Sequence, residues 1–318
     1  ASWAVMMSND RLPKGAPLNP MPDGSKGQKA STYLSNLRTR MSRLSKVEIP
    51  GFKEGLVTRL RSWEPGRVTT GWWLTRTGKE YMHAPYSIAT EPSVLKAGHV
   101  WDSADIGFQI ESLFGLTILS ERETTSGQTF RDGLTQEVPT SLFKAKRTGQ
   151  ERDGLPRSKR PDLAILHTSS SGRVSFTAIE VERVMSRPIR DYREKLLTYT
   201  EDPHVDAIWY LCDRAPIRNR VRQAYTDLLK AGEIAGTSTT PTLVETVQHW
   251  GEPPPREQQD GYLRRTTSWV GLPGIGLDGS PLLNSKGEPS AVGKRMLGAL
   301  RMEQTMQSTS TRLDGRAH

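Results

Sequence analysis

Apolar positions are patterned in two blocks along the chain, separated and flanked by stretches without a period. Residues 1–30 show no periodicity and are rich in Pro, Gly, Asn and Lys, which predicts a flexible arm. From Ser31 the pattern becomes helical. Tyr33, Leu34, Leu37, Met41 and Leu44 fall on one stripe, and Arg38, Arg40, Arg43 and Lys46 cover the remaining surface. Two strand-like runs follow, Leu56 to Trp63 and Val68 to Thr75, about a turn at Pro65-Gly66. They predict a two-stranded ribbon carrying Arg59, Arg61 and Arg67 near its tip. Residues 83–98 contain Pro85, Pro92 and Gly98 and read as a linker between a first domain, 31–82, and a second, 99–250.

The second block predicts a helix from His99 to Gly115 and a strand from Leu116 to Glu123. Residues 124–159 read as loop, with Lys144, Lys146, Arg147, Arg152, Arg157, Lys159 and Arg160 gathered before the next element. Two apolar runs then flank Thr168-Ser169-Ser170-Ser171-Gly172 and predict a β-hairpin: Pro161 to Leu166, and Phe176 to Glu182. A helix with Ile189, Tyr192, Leu196 and Tyr199 on one face comes next, followed by a buried-type strand, Val205 to Cys212. A helix from Pro216 to Gly232 and an edge strand near Thr242 to Val247 complete the block. This order favours an α/β (α+β) core, a mixed central sheet with helices on its faces. Residues 251–318 read as a Pro/Gly-rich extension with one amphipathic helix, Val292 to Met306, suited to docking or binding a partner.

Composition sharpens this outline. The net charge is +9, and the first 100 residues hold 15 Lys and Arg against 7 Asp and Glu. A basic first module beside a near-neutral second one points to a polyanion such as DNA. A single cysteine, Cys212, excludes an internal disulfide framework and suits a reducing cytoplasm; its place in a buried-type strand suits a small hydrophobe. No apolar run approaches the roughly 20 residues that span a bilayer, so no membrane partner is expected.

The hairpin carries the candidate chemistry. Folding it about its serine turn sets Asp162 opposite Ile179 or, one step along, Glu180, while Glu180 and Glu182 share a face by strand alternation. Three carboxylates on one patch repel unless a cation or basic side chains compensate. A helix bearing Glu111, a strand, Pro161-Asp162, and Glu180-Val181-Glu182 in this order resemble the PD-(D/E)xK nuclease superfamily. The resemblance implies that Asp162 and Glu180 bind Mg2+, that Glu111 is an outer carboxylate, and that position 182 holds the catalytic lysine. Here that position is Glu182. A lysine supplied from the next helix would restore the site, and Lys195 is the candidate, with Arg187 and Arg190 behind it; otherwise the nuclease fold serves as a platform without catalysis.

Leu74-Thr75-Arg76-Thr77-Gly78 is similar to the ending of winged-helix domains, a strand running into a Gly-bearing helix. In such a domain Arg38, Arg40, Arg43, Lys46, Arg59, Arg61 and Arg67 would contact DNA. Trp72-Trp73 fits the wing core better than a base-stacking platform, and His99 fits a cap or packed residue better than a catalytic group. Taken together with His99, Asp105, Ser120 to Glu123, Arg160-Pro161-Asp162, Arg183, Lys195 and Tyr199, the order of these pieces resembles the replication-relaxation family of plasmids, phages and integrative elements. That resemblance implies a winged helix joined to a PD-(D/E)xK-like core. It also implies DNA as partner, replication or conjugation proteins alongside it, and room for a homodimer. Mg2+-dependent DNA cleavage and a non-catalytic DNA-binding or recruiting role are the two functions it leaves open.

Overall fold

A computed structural model describes residues 6–7, 39–51, 54–60, 70–81, 94–126, 128–131, 134–137, 160–168, 174–183, 187–202, 204–234, 240–250 and 269–314. It falls into two units, Ala1–Ala104 with His249–Val270, and Asp105–Gln248 with Gly271–His318.

In the first unit, strand β1 (Met6–Met7) precedes a short helix, α1 (39–44), and then β2 (Val57–Leu60) and β3 (Thr70–Leu74). β3 lies in the middle of this antiparallel sheet, so the two runs expected as a ribbon do pair, Val57 opposite Leu74. Helix α2 (Arg76–Tyr81) starts where the sequence turns polar. Thr75 caps it: its hydroxyl accepts the Gly78 N–H at 3.0 Å and donates to the Gly55 carbonyl at 2.5 Å. Gly78 is required by space, because a Cβ there would sit 2.1 Å from the Leu56 carbonyl oxygen.

Helix α3 (Val94–Phe114) begins five residues earlier than periodicity suggests, so His99 lies within it rather than before it; its carbonyl accepts the Ser103 hydroxyl at 2.9 Å. Gly115, at φ 66°, ends it in the left-handed conformation that a side chain would disfavour. The expected strand from Leu116 to Glu123 is a strand only as far as β4 (Ile118–Ser120); Glu121–Ser126 form helix α4. The reason is a capping box. Glu123 reaches back to the Ser120 N–H at 2.7 Å and accepts the Ser120 hydroxyl at 2.8 Å, while that hydroxyl accepts the Glu123 N–H at 3.4 Å. Within the stretch read as loop, β5 (Gln128–Arg131) and β6 (Leu134–Glu137) pair antiparallel as a separate hairpin.

The central sheet then takes shape. β7 (Leu163–Thr168) and β8 (Val174–Glu182) form the expected hairpin, with Leu163 opposite Ile179. Helix α5 (Ile189–Thr200) crosses over to β9 (Val205–Cys212), which runs parallel to β8. Helix α6 (Ala215–Lys230) leads to β10 (Thr242–Thr246), parallel to β9. The order across the five strands is β10-β9-β8-β7-β4, a mixed sheet with its one antiparallel hairpin toward the β4 edge. Strands β11 (Gln248–Trp250) and β12 (Trp269–Gly271) pair as a small ribbon, and helix α7 (Ala291–Asp314) closes the described chain.

Alternation along these strands makes two faces. One, with Ala164, Phe176, Ala178, Ile208, Tyr210 and Val244, packs against Tyr192, Leu196 and Tyr199 of α5 and Ile217, Val221, Ala224 and Leu228 of α6. Each of the larger aliphatic side chains stabilises the fold by about 1.5–3 kcal/mol on burial. The opposite face is met by α7. The expectation that this helix serves a partner is corrected: Met296 and Leu300 are fully buried, and Gln307 donates to the Leu166 carbonyl of β7 at 2.7 Å. Among the described residues no helix is long and apolar enough to cross a membrane.

Candidate functional site

The hairpin register, carried one residue beyond Leu163–Ile179, sets Asp162 opposite Glu180. Asp162, half-buried, accepts the Val181 N–H at 2.8 Å, which fixes the carboxylate at the mouth of β7. Glu180 and Glu182 both point to the α5/α6 face and are 1% and 3% exposed. Carboxylates at that depth need partners, and helix α5 supplies them. Lys195 and Tyr199, one helical turn apart on its buried face, donate to the two oxygens of Glu180. Arg187, just before the helix, donates to Glu182 at 2.6 Å.

The electrostatics follow from this crowding. Burial pushes the Glu180 carboxyl up to about 8; the Lys195 ammonium pulls it back, and Asp162 and Glu182 push it further. Burial works against the Lys195 charge, but Glu180 and Asp162 outweigh it and hold the amine as an ammonium, above its ordinary range. The phenols of Tyr199 and Tyr210 are pushed well up, by burial first and the Glu180 charge second, so both stay neutral. Burial also raises the Cys212 thiol, which fits a buried, inert cysteine.

Several other side chains lie around the cluster. Tyr192 meets Tyr210 edge-on at 6.4 Å, and both hydroxyls are buried without a hydrogen-bond partner in the described structure. Asp213 follows β9, its N–H bonded to the Glu182 carbonyl at 2.8 Å, and Arg214 pairs with its carboxylate at 3.1 Å. Glu111 is half-buried on α3; the charges bearing most on Glu180 are Lys195, Asp162 and Glu182. Arg190 lies on the exposed side of α5 beside Glu194.

Of the residues expected to touch DNA, Arg40, Arg43 and Lys46 are exposed on and just after α1, and Arg59 lies on β2. Arg38, Arg61 and Arg67 fall outside the described residues, as does the basic stretch 138–159. Trp72 is buried at 5% exposure, in keeping with a core role. Tyr199 is the site residue that the sequence placed on the right face of α5 without giving it a role. Its signal was the four-residue spacing from Lys195.

A second buried polar cluster occupies the other sheet face. His167 of β7 pairs with Glu303 of α7 at 2.5 Å, and Thr177 of β8 donates to the same carboxylate at 2.6 Å. All three are 3% exposed or less. Nothing in the sequence joined residues so far apart.

Among the described residues no group of three or more His, Cys, Asp or Glu side chains is arranged to hold a metal ion. Asp162 and Glu180 remain a two-carboxylate oxygen set of the kind Mg2+ accepts while keeping several waters. Both Glu180 oxygens already accept from Lys195 and Tyr199, so metal binding there would require displacing at least one of these donors. No family model, curated protein or solved structure matches the chain.

Proposed function

We propose that the protein acts on DNA within a mobile genetic element, through a core of the PD-(D/E)xK nuclease kind in which Lys195 replaces the lysine absent from position 182. The observation that carries this reading is the Lys195–Glu180 ion pair beside Asp162, a basic group delivered from the following helix to the strand carboxylate. The antiparallel hairpin followed by a parallel crossover strand supports it as well. Mg2+ held by Asp162 and Glu180 would supply a hydroxide and offset charge developing on a phosphate. The chain's own groups do the rest: Lys195 offers a proton or a charge to a phosphate oxygen, Tyr199 orients Glu180, and Arg187 offsets Glu182. In the first unit, a winged-helix type of contact through Arg40, Arg43 and Lys46 would hold the duplex, with replication or conjugation proteins as further partners.

The test is cleavage of supercoiled and linear DNA in Mg2+ or Mn2+. Wild type is expected to cut, and Asp162→Ala and Lys195→Ala to lose at least about 100-fold, the scale of a catalytic group. Cleavage that survives both changes would sink the assignment.

A second reading is favoured by one specific observation: protein donors engage both Glu180 oxygens and one Glu182 oxygen, and position 182 is acidic. A non-catalytic binding protein would keep this fold as a platform. It would bind DNA in a salt-dependent way, lose affinity in Arg40→Ala and Arg43→Ala, and show no cleavage under any metal condition.

A further inference from the structure

Two cations pair with the buried carboxylates, and they differ in what else can touch them. The Lys195 side chain is 9% exposed, and its ammonium is committed to Glu180, itself 1% exposed. A polymer arriving from solvent meets little of it. The Arg187 side chain is 46% exposed, yet its Nη1 donates at 2.6 Å to Glu182, which is 4% exposed. One end of this guanidinium therefore lies against the core and the other faces water. A guanidinium carries five N–H donors. Among the described residues, that of Arg187 makes one hydrogen bond, the one to Glu182.

The residue is also held in place along its backbone. Its carbonyl accepts Arg220 Nη1 at 3.1 Å. Pro188 follows as the N-cap of α5 and disfavours helical backbone at Arg187. Burial works against the charge of Arg187, but Glu182 and then Glu180 outweigh it, and Asp162 adds to them, so the guanidinium sits in the field of all three carboxylates. It stands where β8 and β9 end together, Glu182 opposite Cys212. Carboxyl ends of parallel strands are where open α/β sheets bind ligands. A planar guanidinium can keep one edge on a carboxylate and turn the other to a phosphate oxygen, a geometry that an ammonium lacks.

We propose that Arg187 is the substrate-facing cation of the cluster: Glu182 holds one end of its guanidinium, and the other end binds a phosphodiester oxygen of DNA. This rests on the reading of the chain as a DNA-acting protein and names the group that meets the phosphate from the solvent side. Glu182 is then a positioning residue. The acid at position 182 presents a cation to the substrate, while Lys195 stays with Glu180.

The experiment uses the full chain and a labelled DNA duplex in EDTA, with affinity measured across a salt series. Arg187→Ala alone would strip a buried carboxylate of its arginine and could unsettle the fold. The change is therefore also made in Glu182→Gln, where no such charge is left behind. There Arg187→Ala should weaken binding about tenfold relative to Glu182→Gln and lower the salt slope by about one, the share of one phosphate contact. The thermal midpoints of these two proteins should lie close together. Arg187→Lys, which keeps the charge but not the two-edged geometry, should bind with an affinity between those of wild type and Arg187→Ala. An Arg187→Ala effect that vanishes in Glu182→Gln would make Arg187 a structural partner only and overturn the assignment. Unchanged affinity and slope in both backgrounds, with wild type still binding, would overturn it too and leave the broader reading standing. Failure of wild type to bind DNA at all would remove both.

Discussion

Two buried polar clusters sit back to back on β7 and β8, and they are built differently. On the back face His167, Thr177 and Glu303 pair with one another and are sealed from solvent, with the His167 Nδ1 buried without a hydrogen-bond partner in the described structure. On the α5/α6 face Glu180 and Glu182 carry negative charge that Lys195, Tyr199 and Arg187 contain, next to a half-buried Asp162. The back cluster joins α7 to the sheet. The front cluster raises the carboxyl of Glu180 and keeps an ammonium beside it. The perturbed carboxyl at the end of parallel strands is what makes the front cluster the candidate site.

The contrast can be broken first at the back face. Glu303→Ala removes the acid that holds His167 and Thr177, and should cost about 4 kcal/mol in chemical denaturation, the scale of breaking a buried pair. A loss below about 1 kcal/mol would mean that α7 is held by its apolar face alone.

The front face should respond to pH. Glu180 has a folded pKa of about 8, above its ordinary 4.5. An acid raised on folding stabilises fully below about 4.5, and that contribution is lost as pH rises through about 8. Wild type should therefore lose stability over this window relative to Glu180→Gln, on the order of 5 kcal/mol. Parallel stability profiles for the two proteins would show that Glu180 does not titrate there.

The smallest effect belongs to Tyr199→Phe. It deletes one donor to Glu180 while keeping the ring in the core, and should lower stability by about 1 kcal/mol by urea denaturation. A neutral result would assign Glu180 to Lys195 alone.

Much of the front face was legible because its determinants are local. The alternation of Phe176 to Glu182 and the serine turn narrowed the hairpin to two registers, of which one is found; the helical period put Tyr192, Leu196 and Tyr199 on one face of α5 and left Lys195 off it, whereas Lys195 is buried with them. Two local signals were present and misread. Ser120 to Glu123 is a capping box that begins α4 rather than the end of a strand. Asp132-Gly133, between β5 and β6, is a dipeptide that favours tight hairpins, inside a stretch read as loop. The back face was not legible for a different reason. His167 and Glu303 meet only through tertiary packing, and an amphipathic helix looks the same in sequence whether its apolar side meets its own sheet or a partner.

The Thr177–Glu303 bond also sets a schedule for synthesis. The two residues are 126 apart in sequence, and at common elongation rates the second follows the first by roughly 6–25 s. Throughout that interval the nascent hairpin carries an uncovered imidazole and hydroxyl, and an unshielded apolar face, at the centre of its sheet. Closure of this core is therefore timed by translation of α7, and a chaperone that shields the emerging β7–β8 surface would act in that window.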